Sequence, residues 1–225
     1  MRAFQRLYDR GIIFAPDFVE LDKCFEIIGK CREYFSAVKL GNLTLYQHGI
    51  KAVRELKEQF DIPIICDFKL MDIPDIAERV LGLGAENGMD GAMIWGLAGE
   101  ETISRCIASF PEIMIFVLTE YTHSPEAISR KVGDQMAHMA AELGAYGIQA
   151  PATRPRRVEE LRDIIGEELK IISCGVGHQG TPYGHAVKHG ADFEIIGRSI
   201  CFSQNPAAES EKAFNAILLA QATTP

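Results

Sequence analysis

Asp67-Phe68-Lys69-Leu70-Met71-Asp72 is the stretch of sequence on which the prediction of the fold depends. It follows directly on the apolar run 62–67, which has the length and composition of a buried strand. In β/α barrels, polar and charged residues gather where a strand ends and the next loop begins, because the active site lies there. The stretch therefore predicts the active end of a barrel at this point of the chain.

Seven further apolar runs lie along the chain and alternate with longer amphipathic segments. The eight predicted strands are residues 11–15, 37–40, 62–67, 91–95, 113–118, 146–150, 170–173 and 193–196. The clearest predicted helices are residues 75–88, 156–165 and 206–219. Strands that alternate with helices imply parallel pairing and right-handed crossovers. Eight such units in 225 residues predict an α/β fold, a (β/α)8 TIM barrel. An open doubly wound sheet is the alternative.

The chain shows no linker and no change in composition. We therefore expect residues 1–225 to form a single β/α barrel domain. A short N-terminal helix over about residues 3–8 is expected to cover the bottom of this barrel.

Composition and charge exclude several classes of protein. The formal net charge of -8 argues against nucleic acid or an anionic membrane as a partner, although a few local cations can still hold a phosphorylated ligand. No apolar run approaches the roughly 20 residues that span a bilayer, and no apolar signal core follows the N-terminus. The six cysteines are scattered without CxxC spacing, so no metal site is predicted. These features predict a cytoplasmic protein.

Charged residues at the end of the third strand form a candidate catalytic cluster. Ile65, Asp67 and Lys69 alternate along this strand, so they share the face that looks into the barrel. Lys39 faces inward on the second strand by the same logic. Buried charges are costly unless they are paired. A surface ion-pair strip is the alternative for an Asp-x-Lys pair alone, and the presence of Lys39 and Asp72 argues against it.

Such a cluster suits a reaction in which negative charge develops on carbon and is then protonated. A lysine that carboxylates keep cationic can stabilise a developing carbanion and donate a proton to it. The sequence therefore predicts a decarboxylase, or a related enzyme that forms a carbanion.

A glycine-rich loop, Gly175-Val176-Gly177-His178-Gln179-Gly180, follows the seventh strand. Its spacing matches the dinucleotide pattern, but that pattern needs more sheet downstream and an acidic residue about 20 residues further on. Only one predicted strand remains, so we interpret the loop as the phosphate-binding loop of a barrel. Gly197 and Arg198 end the eighth strand and suit the same phosphate, because arginine matches its oxygens bidentately and glycine lets backbone amides approach closely.

In this order, the motifs resemble those of the orotidine 5'-phosphate decarboxylase family. Asp67-x-Lys69-x-x-Asp72-Ile73-Pro74 is similar to the family's signature, and Val38-Lys39-Leu40-Gly41 to its second-strand lysine motif. Residues 118–123, 152–155, 175–180 and 196–200 resemble its fifth-strand segment, its sixth and seventh loops and its eighth-strand phosphate end. The resemblance covers nearly the whole chain. It implies decarboxylation of orotidine 5'-monophosphate to UMP, in de novo pyrimidine biosynthesis, without cofactor or metal.

The resemblance also implies the roles of individual residues. Lys69 would protonate C6 of the pyrimidine, while Lys39, Asp67 and Asp72 hold its charge and position. Asp72 would come from the partner subunit, which implies a homodimer with shared active sites. The other implied substrate contacts are Asp17 and Lys39 for the ribose hydroxyls, Thr122 for the pyrimidine edge, and Gln179, Gly197 and Arg198 for the phosphate.

Departures from the family pattern leave the substrate preference open. Ile76 stands where the family usually has a threonine that helps hold the ribose across the dimer. Trp95 stands where histidine is common, and Cys174 where proline is common.

Two alternative functions stay open. The related 3-keto-gulonate 6-phosphate decarboxylases and hexulose-phosphate synthases share the Asp-x-Lys-x-x-Asp signature but use Mg²⁺. They carry an acidic residue at the end of the second strand, where this chain has Lys39, and a lysine would repel a divalent cation. A non-catalytic phosphonucleoside-binding paralogue would keep Gln179 and Arg198 and lose the charged cluster.

Overall fold

Eight parallel strands close into a barrel in the computed structural model, which describes residues 7–17, 19–123 and 128–223. The strands follow one another around the barrel in chain order, and the first pairs with the last. They are β1 (Ile12–Phe14), β2 (Phe35–Gly41), β3 (Ile64–Leu70), β4 (Gly91–Trp95), β5 (Met114–Leu118), β6 (Gly147–Pro151), β7 (Lys170–Cys174) and β8 (Phe193–Ile196). The predicted (β/α)8 TIM barrel is confirmed, and the open doubly wound sheet is wrong.

Helices surround the barrel on its outside. In the described ranges they are α1 (Leu21–Cys31), α2 (Asn42–His48), α3 (Lys51–Gln59), α4 (Pro74–Glu86), α5 (Glu100–Ser109), α6 (Ile128–Glu142), α7 (Pro155–Ile165), α8 (His185–Lys188), α9 (Arg198–Cys201) and α10 (Pro206–Thr223). Pro74 and Pro155 open α4 and α7, where a missing backbone N–H costs nothing. Within the ranges described, no helix combines the length and apolar character that crossing a membrane needs.

Side chains of each strand alternate between two apolar layers. One layer packs between the strands and the helices, and the other fills the barrel interior with residues such as Ile65, Met93 and Phe116. Leu7 also joins the interior cluster. Residues 3–6 of the predicted N-terminal helix lie outside the described residues, and Leu7 and Tyr8 are not helical.

Strand β3 contains a bulge that affects the active end of the barrel. Its pairing with β2 ends at Gly41 opposite Asp67, whereas its pairing with β4 jumps from Cys66 to Leu70. An advance of four residues along β3 therefore pairs with an advance of only two residues along β4, from Ala92 to Ile94. Bulges of this kind are used next to active sites to re-aim side chains. Among the described residues, Lys69 in this bulge is the only non-glycine with positive φ, at 46°.

Candidate active site

Four charged side chains form a continuous row at the carboxyl ends of β1, β2 and β3. Lys39 Nζ donates to Asp17 Oδ2 at 3.2 Å and to Asp67 Oδ2 at 3.0 Å. Lys69 Nζ donates to the same Asp67 oxygen at 2.6 Å. The signs of the charges alternate along the row, which offsets the cost of burying them. The structure thus brings together Asp17, Lys39, Asp67 and Lys69 of the predicted site.

The centre of this row is deeply buried. Asp67 is 3% exposed and Lys39 is 6% exposed. Burial acts to raise the pKa of Asp67, but the charges and hydrogen bonds of Lys39 and Lys69 outweigh it and hold that pKa below its ordinary value. Burial acts to lower the pKa of Lys39, but the charges and hydrogen bonds of Asp67 and Asp17 outweigh it and raise that pKa. Both side chains therefore stay charged at neutral pH.

One oxygen of the central carboxylate is left unpaired. Within the described part of the chain, Asp67 Oδ1 is buried and has no hydrogen-bond partner. A buried polar atom without a partner is costly, and such atoms mark places where a ligand or an ordered water completes the structure. Lys69 lies beside it with 38% of its side chain exposed, so a ligand can approach this lysine from the mouth of the barrel.

Asp17 is fixed by the loop that follows β2. The backbone N–H of Gly41 donates to Asp17 Oδ1 at 2.6 Å, and Thr44 Oγ1 makes a longer contact of 3.5 Å with the same oxygen. A Cβ atom at Gly41 would lie 2.5 Å from this oxygen, so only glycine permits the approach. The residues at the start of helix α2 therefore also fix the position of Asp17.

Polar loop residues converge across the mouth of the barrel. Gly175, at the end of β7, has a φ of +102°, and a Cβ atom there would lie 3.3 Å from both Thr122 Cγ2 and Gln179 Oε1. The Thr153 hydroxyl donates to the backbone carbonyl of Thr122 at 2.9 Å. The predicted pyrimidine contact and one predicted phosphate contact, Thr122 and Gln179, thus lie beside each other.

Gly197 and Arg198 lie where β8 meets β1. Ala15 N donates to the carbonyl of Ile196 at 2.9 Å, and a Cβ atom at Gly197 would lie 2.7 Å from the Ala15 carbonyl oxygen. Asp17 is two residues beyond Ala15, so the predicted phosphate end borders the charged row. A Cβ atom at Gly177 would collide with Ser199 Oγ, which shows how closely the seventh loop packs on α9.

Asp72 is the predicted catalytic residue that stands apart from the row. It is exposed, and its carboxylate accepts a hydrogen bond from the neighbouring Ile73 N–H at 2.8 Å. Thr102 Oγ1 donates to its backbone carbonyl at 3.1 Å. Asp72 therefore faces outward from its own barrel, with exposed apolar residues on both sides, Met71 and Ile73.

A buried ion-pair network beneath the mouth was missed by the sequence analysis. Glu120, which follows β5, is fully buried and accepts from Arg157 Nε at 2.5 Å and from an Arg154 amino group at 2.9 Å. The same Arg154 group donates to the carbonyl of Tyr121 at 2.8 Å, next to Thr122. The signal was present, since an acidic residue ends one strand and three arginines, among them Arg154 and Arg157, follow the neighbouring strand.

Trp95 and Tyr121 form an aromatic wall at the same end. Their ring centroids are 4.7 Å apart in an edge-to-face arrangement. Trp95 is buried and Tyr121 is exposed. Trp95 is therefore a packing residue that also borders the mouth of the barrel.

The fold and the site together define a class of protein. A closed (β/α)8 barrel in which aspartates and lysines alternate at the ends of the first three strands is typical of the barrel enzymes that carry the Asp-x-Lys-x-x-Asp signature. Sequence comparison narrows this class. The chain belongs to the orotidine 5'-phosphate decarboxylase / HUMPS family, whose model matches residues 11–213.

Individual relatives agree with this assignment. The chain is 38% identical over 209 residues to orotidine 5'-phosphate decarboxylase of Methanococcoides burtonii, covering 89% of this chain and 94% of that protein. It is 37% identical over 204 residues to the enzyme of the same name from Methanosarcina barkeri, covering 89% and 91%. The crystal structure of orotidine 5'-monophosphate decarboxylase from Methanocaldococcus jannaschii, complexed with the inhibitor BMP, superposes with a TM-score of 0.86 at 27% identity and covers 93% of this chain and 99% of that chain.

Proposed function

We propose that this chain decarboxylates orotidine 5'-monophosphate to UMP, in de novo pyrimidine biosynthesis, without a cofactor. The observation that carries the proposal is the row Asp17–Lys39–Asp67–Lys69, in which Lys69 is held beside a buried carboxylate and open to the mouth of the barrel. The family membership and the names of the relatives support the same activity.

The row can perform the chemistry with its own groups. When the bond between C6 and the carboxylate of the substrate breaks, its electron pair stays on C6 and CO₂ departs. The cationic Lys69 stabilises that charge and then donates a proton to C6, so no electron acceptor is needed. Lys39 and Asp67 hold Lys69 and its charge in place, because both are buried and neither changes its ionisation at neutral pH.

The remaining loops are proposed to bind the rest of the substrate. Thr122 contacts the pyrimidine edge, Asp17 and Lys39 contact the ribose, and the phosphate is held by Gln179, Gly197 and Arg198. Phosphate contacts far from the reacting carbon can supply binding energy for organising the site. The glycines of the seventh loop support this proposal, since backbone amides can approach an anion closely where no side chain intervenes.

Lys39 distinguishes the proposed metal-free enzyme from the Mg²⁺-dependent enzymes that share the Asp-x-Lys-x-x-Asp signature. Its ammonium group lies between Asp17 and Asp67, within 3.2 Å of both carboxylates. The position that a divalent cation would share with these carboxylates thus already holds a positive charge. We therefore expect activity to survive treatment with EDTA, and loss of activity that Mg²⁺ restores would contradict the metal-free reaction.

Substitution of the proposed proton donor tests the reaction directly. Lys69→Ala should abolish turnover of orotidine 5'-monophosphate, followed by absorbance, while UMP affinity stays within about tenfold, or roughly 1.4 kcal/mol. Lys57→Ala is the matched control, because Lys57 also pairs with a partly buried aspartate, Asp90, at 3.0 Å but away from the row. A Lys69→Ala enzyme with most of its turnover would show that the proton donor is a different group.

We propose that the active enzyme is a homodimer with shared sites. Asp72 faces outward, and the exposed apolar side chains of the loops and helix starts that follow β2, β3 and β4 form the candidate dimer surface. This surface consists of Leu43, Tyr46, Met71, Ile73, Ile76 and Leu97. A second copy that covered it would bury these side chains and could bring Asp72 to the row of its partner.

Mixing two inactive variants tests the shared site. In a heterodimer of Lys69→Ala and Asp72→Ala chains, one site carries both substitutions and the other carries neither. An equal mixture that exchanges subunits should therefore regain roughly a quarter of wild-type activity. Sedimentation would verify the dimer in the same samples. A dimeric mixture that exchanges subunits without any recovery would show that Asp72 acts in its own subunit. An Asp72→Ala enzyme that is active by itself would show that Asp72 acts outside the site.

The cellular location is proposed from the cysteines. All six are free thiols, and five of them are buried. Proteins of a reducing compartment keep cysteines in this state, so we propose a cytoplasmic location, which cell fractionation would test.

A further inference from the structure

Lys69 occupies a backbone conformation that its surroundings must hold. A φ of +46° is unfavourable for a lysine, and such residues persist only where neighbouring groups fix them. The ion pair with Asp67 holds the side chain of Lys69 and so helps to fix this conformation. The bulge itself needs a separate contact, because the ladder between β2 and β3 ends at Gly41 and Asp67 and the ladder to β4 resumes only at Leu70.

Asn42 supplies that contact. It directly follows Gly41 and is the first residue of α2. With its amide nitrogen turned toward β3, Nδ2 donates to the carbonyl of Asp67 at 3.1 Å and to the carbonyl of Phe68 at 3.2 Å. The opposite orientation would set the amide oxygen against two carbonyl oxygens, so the hydrogen-bond network fixes the orientation of the amide.

We propose that Asn42 is a positioning residue that holds the bulge of β3 and thereby aims Lys69 at the reacting carbon. The inference rests on the proposed function, in which Lys69 donates the proton. The two carbonyl groups that Asn42 binds belong to the two residues immediately before Lys69. Their orientation sets the direction in which the lysine leaves the backbone.

The effect of losing this amide should fall on chemistry rather than on binding. Without it, residues 67–69 can relax toward ordinary strand geometry, and Lys69 Nζ shifts relative to C6. The proposed pyrimidine and phosphate contacts lie after β5, β7 and β8, on loops that do not depend on the bulge. Small misplacements of a catalytic group lower the rate strongly even when the ligand is still bound.

The test compares Asn42→Leu with Asn87→Leu. Leucine has the same branched shape as asparagine, although it is larger, and it cannot donate a hydrogen bond. Asn87 is the matched control, because its Nδ2 also donates to a backbone carbonyl, that of Leu83 at 2.8 Å, at an exposed helix end. The measurements are kcat and KM for orotidine 5'-monophosphate, the Kd of UMP, and the melting temperature of each variant.

Asn42→Leu should lower kcat by at least about tenfold, equivalent to 1.36 kcal/mol of activation free energy, and leave the Kd of UMP within about threefold, roughly 0.6 kcal/mol. Asn87→Leu should leave both quantities unchanged. If Asn42→Leu does not fold, Asn42→Ala removes the same donor with a smaller side chain and is expected to show the same split between kcat and Kd.

The outcomes separate this inference from the proposed function. A kcat for the Asn42 variants that falls by less than about tenfold, with Lys69→Ala inactive, overturns the role of Asn42 alone. A parallel loss of kcat and UMP affinity also overturns it, because Asn42 would then support the whole site rather than Lys69. An active Lys69→Ala enzyme overturns the proton donor itself, whatever the Asn42 variants show.

Discussion

A single carboxylate oxygen, Asp67 Oδ2, accepts hydrogen bonds from two lysines at 3.0 and 2.6 Å. This arrangement explains how a buried row can stay ionised. Each lysine lowers the pKa of the carboxyl group, and the carboxylate in turn raises the pKa of Lys39. At the residue scale, Asp67 and Lys39 are therefore each fixed in one charge state over a wide range of pH.

Asp67→Asn should lower the free energy of unfolding by about 3 kcal/mol, because Lys39 stays buried with one partner fewer. Asp67 contributes stability above its ordinary pKa of 3.8, and this contribution is lost as the pH falls through its lower folded value. Lys39 contributes stability below 10.5, and this is lost as the pH rises through its higher folded value. The loss in the variant should thus be the same at about pH 5, 7 and 9.

Urea unfolding of wild type and variant at the three pH values measures this difference. A difference that changed strongly between them would mean that one of the two groups titrates inside the window.

At the scale of elements, the buried Glu120 joins β5 to the loop and helix after β6. Arg157 is 4% exposed and also contacts Asp134 and Glu160. Arg157→Ala should therefore cost about 3 kcal/mol of unfolding free energy, since it removes a partner of a fully buried carboxylate. Denaturant unfolding measures the cost. Arg105→Ala is the control, because Arg105 also pairs with two carboxylates but is partly exposed, and it should lose much less.

Glu194 connects β8 to the start of α8 and gives the stability a pH dependence. It is fully buried, and its carboxylate accepts from the N–H groups of Gly184 and Ala186, each at 2.9 Å. Burial raises its pKa from 4.5 to about 7, although these hydrogen bonds act against the shift. The stability that the protonated carboxyl group contributes is present below 4.5 and is lost as the pH rises toward 7.

Glu194→Gln cannot ionise, so its stability relative to wild type should rise between about pH 5 and 8. Melting temperatures of both proteins across this range provide the measurement. A constant difference would show that Glu194 keeps one protonation state throughout.

The elements also show where sequence reasoning succeeds. The predicted strands 91–95 and 193–196 match β4 and β8, because apolar runs bounded by polar residues are a local signal. The third run was predicted to end at Asp67, whereas β3 continues to Leu70. No glycine or proline marks the bulge, and it arises from the register with β4, which a single segment does not encode.

Some residues of the predicted site could likewise be placed from the sequence, and others could not. Lys39, Asp67 and Lys69 could be placed from strand parity, and the structure brings them together. The contacts of Asn42 could not, because they depend on the bulge of β3, which arises from its register with β4. The pairing of Glu120 with Arg154 and Arg157 had a signal in the sequence but was not predicted. The role of Asp72 stays a prediction, since it concerns a second chain.

At the scale of the whole molecule, barrel closure makes every strand depend on its neighbours. The pairing of β1 with β8 joins the two ends of the chain, and Tyr34 and Phe214 pack nearby with ring centroids 5.7 Å apart. We propose that the chain is one domain, and we expect one unfolding transition at a fixed protein concentration. Calorimetric and van't Hoff enthalpies should then agree. Two resolved transitions would divide the barrel into separate units.

The uneven exposure of the row also decides which of its lysines can exchange a proton with water. In the proposed reaction Lys69 becomes neutral at each turnover, and its 38% exposed side chain can be recharged from water, whereas Lys39 is sealed from it. Because the substrate carboxylate leaves as CO₂ and C6 gains a proton, one hydrogen ion is drawn from the medium for each CO₂ released. An unbuffered solution of enzyme and substrate should turn alkaline at first, until hydration of the CO₂ returns acid to it.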